Sequence, residues 1–164
     1  MINIKTIKEK IFFNKNSPFK YIYFLINKLI SRFSFKKSFS QGSMDLILEH
    51  IFKTKNDGFY VDVGCQHPIK NNNTYLLYKK GWSGVNIDLD SVNIDLFNFF
   101  RPKDDNVKSA VSDKIETVKL FYYHQKSPIN TLDKKVSLKQ NAKIEKEINI
   151  QTNTLTDILN DFSI

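Results

Sequence analysis

An acidic residue inside a short apolar run, closed by glycine on both sides, limits the folds open to this chain. The run is Phe59-Tyr60-Val61-Asp62-Val63, with Gly58 before it and Gly64 after it. Its length and its aromatic and β-branched content predict a buried strand. An unpaired carboxylate in such a strand is costly, so Asp62 needs a partner from the turn beyond Gly64 or from a bound ligand. Gly64 lets the backbone turn sharply and lets another group approach atoms that a Cβ would block. This is the general form of a nucleotide-type site at the carboxyl end of a parallel strand. One glycine is not a full dinucleotide fingerprint, so an ordinary strand and turn stays open beside the ligand site.

The segments that follow repeat the strand-helix alternation. Asn73 or Thr74 can cap a short helix over residues 75–80, which Gly81 ends. Trp82 leads into a second strand over residues 84–89. Ser91 is the expected cap of a helix whose Val92, Leu96, Phe99 and Phe100 make one apolar face, with Arg101-Pro102 ending it. Residues 107–111 read as a third strand. The β-α-β-α-β order, with right-handed crossovers, predicts an α/β chain with a doubly wound half-sheet. Upstream, Ser43 is positioned to cap a helix over residues 44–52, with Asp45 in its first turn. Downstream, residues 118–123 predict an antiparallel strand and residues 127–143 a lysine-rich loop. Residues 147–152 predict a strand with Ile148 and Ile150 on one side. Thr154 then caps a last helix, Leu155–Asn160, with Asp157 as the capping-box acid.

The charge divides the chain in two. Residues 1–40 hold nine basic residues against Glu9 alone, while the other 124 residues hold 16 basic and 16 acidic groups. The net charge of +8 therefore belongs to a basic helical leader, residues 1–40, and not to the domain over residues 41–164. Nucleic acid is not an expected partner, because no binding motif accompanies the basic segment. The stretch from Phe19 to Phe33 looks helical but is too short and too interrupted for a membrane span. It can pack onto the domain, or make peripheral contact with an anionic membrane surface. A 13% aromatic and 41% hydrophobic composition is that of a globular chain. Cys65 is the single cysteine, which excludes an internal disulfide. The start shows no secretory signal, so a cytoplasmic location is the expectation.

Asp88 is the most informative partner of the central turn. A carboxylate near the end of the second strand can accept hydrogen bonds from both hydroxyls of a ribose. The plainer reading is a turn cap shared with Asp90 and Ser91. His67 and His124 can act as bases, yet neither has a sequence neighbour that defines a catalytic pair. Cys65 reads as a small packing residue, Asp104 and Asp105 as an exposed turn, and Asn71 to Asn73 as loop and cap. Three histidines and one cysteine, scattered, give no metal-ligand spacing.

Taken in order, several segments resemble the FkbM family of S-adenosylmethionine-dependent methyltransferases. They are Ser40-Gln41 with Asp45, the run from Phe59 to Pro68, Asn73-Thr-Tyr-Leu-Leu-Tyr, Gly81-Trp-Ser-Gly-Val-Asn-Ile-Asp88, Arg101-Pro102 and Ala110-Val-Ser112. The resemblance covers roughly residues 40–160 and implies a Rossmann-like class I methyltransferase fold. It implies S-adenosyl-L-methionine as cofactor, held by Asp62, Gly64 and Cys65 at the methionine end, Asp88 and Leu89 at the ribose, and Ala110 and Val111 beside the adenine. It implies O-methylation of a hydroxyl on a sugar or other secondary metabolite, so a small-molecule or glycan substrate, with the catalytic base unassigned. Two departures stand out. Gln66 occupies the place of a second turn glycine. After Leu159 the family continues into a fourth core strand with an Asp-x-Glu-Gly-type motif, whereas Asp161-Phe-Ser-Ile164 closes this sequence. The resemblance thus implies an incomplete doubly wound sheet, an open apolar edge on the Tyr60–Val63 strand, and a truncated or split product with a complementing C-terminal chain. The rival readings are a non-catalytic adenosine-binding or interaction module and a nicotinamide-dependent oxidoreductase, the latter disfavoured by the missing glycine fingerprint.

Overall fold

The computed structural model describes residues 11, 17–32 and 37–162; sequence readings on the other residues lie outside the described ones. Among the described residues, the helices α1 (Phe19–Arg32) and α2 (Met44–Ile51), with a short 3-10 turn over Gln41–Ser43 between them, precede the first strand. The run around Asp62 forms β1 (Phe59–Val63), followed by α3 (Tyr75–Lys79), β2 (Ser83–Asp88), α4 (Ser91–Phe100) and β3 (Asp105–Lys108). The three strands form one parallel sheet in the order β1-β2-β3. Val61 stands beside Val85 and Asp62 beside Asn86. This is the expected β-α-β-α-β alternation in a mixed α/β chain.

The third strand departs from its predicted bounds. The pairing with β2 stops at Lys108, and β4 (Ala110–Ser112) pairs instead in parallel with the distant β6 (Lys146–Thr154). Ser109 is the break: its N–H donates to the Asp88 carbonyl at 3.1 Å, and its hydroxyl accepts from Asn153 Nδ2 at 2.9 Å. β2 ends at Asp88 and the chain turns away into α4, so beyond Ser109 the third strand has no neighbour on that side. β5 (Thr117–Tyr122) completes the second sheet antiparallel to β6, in the order β4-β6-β5. The lysine-rich segment read as a loop holds a short helix, α5 (Lys134–Lys139), capped by Asp133 through the Lys135 and Val136 N–H groups. The last helix, α6 (Leu155–Asn160), forms as expected, with the Thr154 hydroxyl accepting from the Asp157 N–H.

Three caps are built differently from the sequence reading. Asp90, not Ser91, caps α4, its carboxylate accepting from the Val92 N–H at 2.8 Å. Ser43 has φ 59°, a left-handed conformation, and makes no cap bond; the buried Asp45 carboxylate instead gathers the hydroxyls of Ser38 and Ser40 and the Phe39 N–H. Those donors outweigh the effect of burial and hold the Asp45 carboxyl below its usual range. Thr74 makes no cap bond at α3 because its hydroxyl is spent on Asp62 and Asn72.

Helices pack on both faces of the parallel sheet, leaving part of β1 uncovered. On one face α6 sets Ile158 against Val85 and Ile87, with Val107 and Val111 at the margin. On the other, Tyr60, Leu77 and Trp82 pack with Leu48 and Phe52 from around α2. Phe24 of α1 is fully buried in a cluster with Val92, Leu96 and Phe100 of α4. β1 is an edge strand whose Phe59, Val61 and Val63 share one face and stay exposed.

Candidate functional site

Asp62 finds its partners within the protein. Its Oδ2 accepts from Thr74 Oγ1 at 2.9 Å and from Asn72 Nδ2 at 3.1 Å. Burial still pushes its carboxyl above the usual range, against the pull of those two donors and of Arg101. Arg101, fully buried, is the centre of this cluster. Its guanidinium donates to the Pro68 carbonyl, Asn72 Oδ1, Thr74 Oγ1 and the Tyr60 hydroxyl. The rings of Tyr75, Tyr78 and Phe97 lie 5.0–5.5 Å from its centre, near enough for cation–π attraction. Asp104 is not the exposed turn residue that the sequence suggested. It is buried and accepts from the Tyr60 hydroxyl, the Gly84 N–H and Asn86 Nδ2, with Arg101 Nη1 4.0 Å away. Asn72, read as loop, is a buried bridge between Asp62 and Arg101.

The turn after β1 leads away from this cluster toward a cavity. Gly64 has φ 74°, with open space where a Cβ would stand, so the backbone conformation is what requires glycine there. Gln66, at the place of the second glycine, also has a positive φ of 54°. The turn is tied to the end of β2: the Gly64 and Cys65 N–H groups donate to the Ile87 carbonyl, and the Gln66 N–H to Asp88 Oδ2 at 2.8 Å. Beyond the carboxyl ends of β1 and β2 lies a cavity of about 530 Å³, with β5 and β6 forming its far wall. That volume is within the roughly 300–1,000 Å³ of small-molecule sites. Its lining includes Gly64, Asp88, Leu89, Asn93, Ala110 and Val111, with Leu120, Tyr122, Ile148 and Ile150 opposite.

Asp88 is a partly buried carboxylate on this lining. Its Oδ1 accepts from the Asp90 N–H at 2.8 Å and Asn93 Nδ2 at 3.2 Å, and its Oδ2 from the Gln66 N–H. Burial raises its carboxyl above the usual range, and the two backbone donors oppose that rise. A carboxylate offers about four acceptor positions, so Oδ2 keeps one for a ligand. Bidentate acceptance of two hydroxyls by Asp88 alone is therefore not open in this arrangement. Asn93 is the polar neighbour of Asp88 on this lining. Its donor side is fixed toward Asp88, because a carboxylate only accepts, and its buried Oδ1 has no hydrogen-bond partner.

Of the seven residues expected to hold a cofactor, Gly64, Asp88, Leu89, Ala110 and Val111 line this one cavity. Asp62 and Cys65 do not. Asp62 faces the Arg101 cluster, and Cys65 is buried against Ile94 and Phe97. Burial, with the Asp88 and Asp62 charges, pushes the Cys65 thiol up, away from nucleophilic use. His67 Nδ1 accepts from the Ile69 and Lys70 N–H groups at 3.1 Å each, and burial holds its pKa down to about 3. A neutral ring with that nitrogen engaged is a turn cap. His124 Nδ1 is 2.8 Å from the Gln125 carbonyl. Among the described residues no group of three or more His, Cys, Asp or Glu could hold a metal ion.

Two residues of this region were missed in the sequence, and each had a signal. Asn93 stands three residues before Leu96 and seven before Phe100, a polar residue on an apolar helical stripe. Arg101 follows such a stripe, and Asp62 interrupts an apolar strand: two isolated charges of opposite sign, each needing the other. Comparisons with protein-family models, curated proteins and solved structures returned no match.

Proposed function

We propose that the chain is a Rossmann-like, class I methyltransferase domain that binds S-adenosyl-L-methionine in the cavity beyond β1 and β2 and serves O-methylation of a hydroxyl on a sugar or secondary metabolite. The observation that carries this reading is Asp88 at the cavity wall, with one open acceptor position on Oδ2, beside Asn93, whose buried Oδ1 has no hydrogen-bond partner. In this reading the two side chains together take the two hydroxyl donors of a ribose, which the one open position on Asp88 does not satisfy alone. An unmet acceptor inside a protein is costly and is relieved by a donor from a ligand. The aliphatic lining from Leu89, Val111, Ile148 and Ile150 fits the faces of a purine. In this reading Asp88 and Asn93 hold the ribose, Gly64 and Gln66 border the methionine end, and Ala110 and Val111 flank the base. Asp62 and Cys65 support the turn from behind. When bound, the cofactor supplies an electrophilic methyl group, and the protein's contribution is to position the acceptor hydroxyl in line with it. No residue of the chain is assigned as a base.

Calorimetric titration with S-adenosylhomocysteine, with NAD as comparison, tests the reading. Saturable binding of the former alone is expected. Asp88→Ala should weaken it by about tenfold or more, the scale of a lost hydrogen bond to a charged group. The same variant's unfolding midpoint reports how much of the effect comes from the Gln66 and Asp90 N–H groups it also frees. An unchanged affinity, or equal binding of NAD, rejects the assignment.

A second reading is favoured by one observation, the exposed Phe59, Val61 and Val63 on the edge strand β1. In it the chain is half of a split enzyme or a non-catalytic adenosine-binding module, and a second polypeptide adds a strand beside β1. Ligand binding without methyl transfer, with transfer appearing only when such a chain is added, separates it from the first.

A further inference from the structure

α1 is amphipathic in the reverse sense to a helix that buries its apolar side. Residues three or four apart share a helix face. The face turned to α4 carries Lys20, Phe24 and Lys28. Lys20 Nζ is 2.7 Å from Asp95 Oδ2, the Phe24 ring is 5.8 Å from that of Phe99, and Lys28 Nζ lies 4.9 Å from the Phe99 ring centre. The inward face thus holds two lysines and the fully buried Phe24, with Tyr23 partly buried beside it. The outward half holds Tyr21, Ile22, Leu25, Ile26, Leu29 and Ile30, each between 47% and 65% exposed. No charged residue interrupts that outward set from position 21 to position 30, since Lys28 lies on the other side. A helix on a water-facing surface shows the opposite arrangement, and a contiguous apolar patch of this kind marks an interaction surface.

Charge identifies the occupant. The segment bearing this apolar face, residues 1–40, carries the whole net charge of +8, while residues 41–164 are neutral. A second copy would bring another strongly basic segment, residues 1–40, alongside the first, and the two would repel. An anionic lipid surface satisfies both features, with apolar side chains of α1 entering the boundary layer and the basic residues that flank it in the sequence, Lys15, Lys36 and Lys37 among them, drawn to headgroups. The helix is 14 residues long, about 21 Å, against roughly 30 Å of hydrocarbon. No described helix is long and apolar enough to cross a membrane, so the membrane contact open to α1 is one in the plane of the surface. We propose that α1 is an interfacial anchor whose outer half inserts into the headgroup–acyl boundary of an anionic membrane. This inference does not depend on the methyltransferase reading.

Flotation of the full chain with vesicles tests it, using phosphatidylcholine with and without phosphatidylglycerol. The chain should float with the anionic vesicles and not with the neutral ones, and salt should reduce the bound fraction. The charge-neutral double variant Ile22→Gln/Ile26→Gln should lower vesicle affinity by about tenfold or more, which is about 1.4 kcal/mol. Its unfolding midpoint should match the parent's, since both side chains lie outside the contact with α4. Failure to float with anionic vesicles overturns the proposal. Equal flotation with neutral vesicles overturns its anionic part, and a double variant that binds like the parent reduces it to lysine attraction. Lipid-free dimerisation abolished by the double variant overturns it in favour of a second copy.

Discussion

Arg101 decides whether two carboxylates can stay inside the fold. It faces Asp62 through Thr74 and Asn72, and Asp104 directly at 4.0 Å. Removing one member of a buried charged cluster leaves the others uncompensated, which costs about 3–5 kcal/mol. Arg101→Leu should lower stability by that amount in urea unfolding. Arg101→Lys should recover only part of it, because one ammonium cannot reach Pro68, Asn72 and Thr74 together as the planar fork does. A loss under about 1 kcal/mol in Arg101→Leu would mean that the guanidinium is dispensable. His67 supplies a prediction with a defined sign. Burial first, then the charges of Lys126, Lys70 and Arg101, lower its pKa from 6.5 to about 3. The unfolded chain therefore binds a proton that the native protein refuses. His67 stabilises fully above the unfolded value, and its contribution declines as pH falls from 6.5 toward 3. Ring nitrogen NMR shifts should stay those of a neutral imidazole through that window; titration near 6.5 would contradict the burial and the turn-cap role.

At the scale of elements, β1 and β2 are fitted so closely that one position admits only glycine. A Cβ on Gly84 would stand 2.0 Å from the Tyr60 carbonyl oxygen and 2.5 Å from its ring. The clash is with backbone of the paired strand, so no rotamer relieves it. Gly84→Ala should cost more than about 3 kcal/mol, beyond ordinary overpacking, and hydrogen exchange should show the loss first at the β1–β2 pairing. Normal protection there would show that the strands can separate cheaply. These elements were legible in the sequence because their signals are local: apolar runs between glycines, and Thr154 three residues before Asp157. What was not legible depends on distant residues. Asp104 reads as a solvated turn until Tyr60, 44 residues earlier, donates to it. The break at Ser109 depends on Asn153 and the pairing of β4 with β6, which nothing near residue 109 announces. The candidate site divides in the same way. Asp88 was visible from its place at a strand end, whereas the open acceptor on Asn93 follows only from how Asp88 uses the rest of that amide.

At the scale of the whole molecule, uneven burial of the parallel sheet has its consequence at β1. Val85 and Ile87 on β2 are fully buried in the cluster with Ile158 of α6, yet Val61 and Val63, their register partners on β1, are 37% and 50% exposed. β1 is also the sheet's edge, with hydrogen bonding to β2 on one side only. An apolar strand with an unpaired side is a template for another strand, and Phe59, Val61 and Val63 add an uncovered face to that open edge. Self-association should therefore rise with concentration and proceed through β1. Val61→Lys places a charge on the face without entering the Arg101 cluster, since Tyr60 and Asp62 point the other way. Sedimentation should show the variant's association weakened several-fold, while its unfolding free energy stays within about 0.5 kcal/mol of the parent, as for other exposed substitutions. The outer-face variant of α1 serves as the control, because it removes apolar surface elsewhere. If Val61→Lys associates as strongly as the parent and the α1 variant does not, α1 and not the sheet edge dominates association in water.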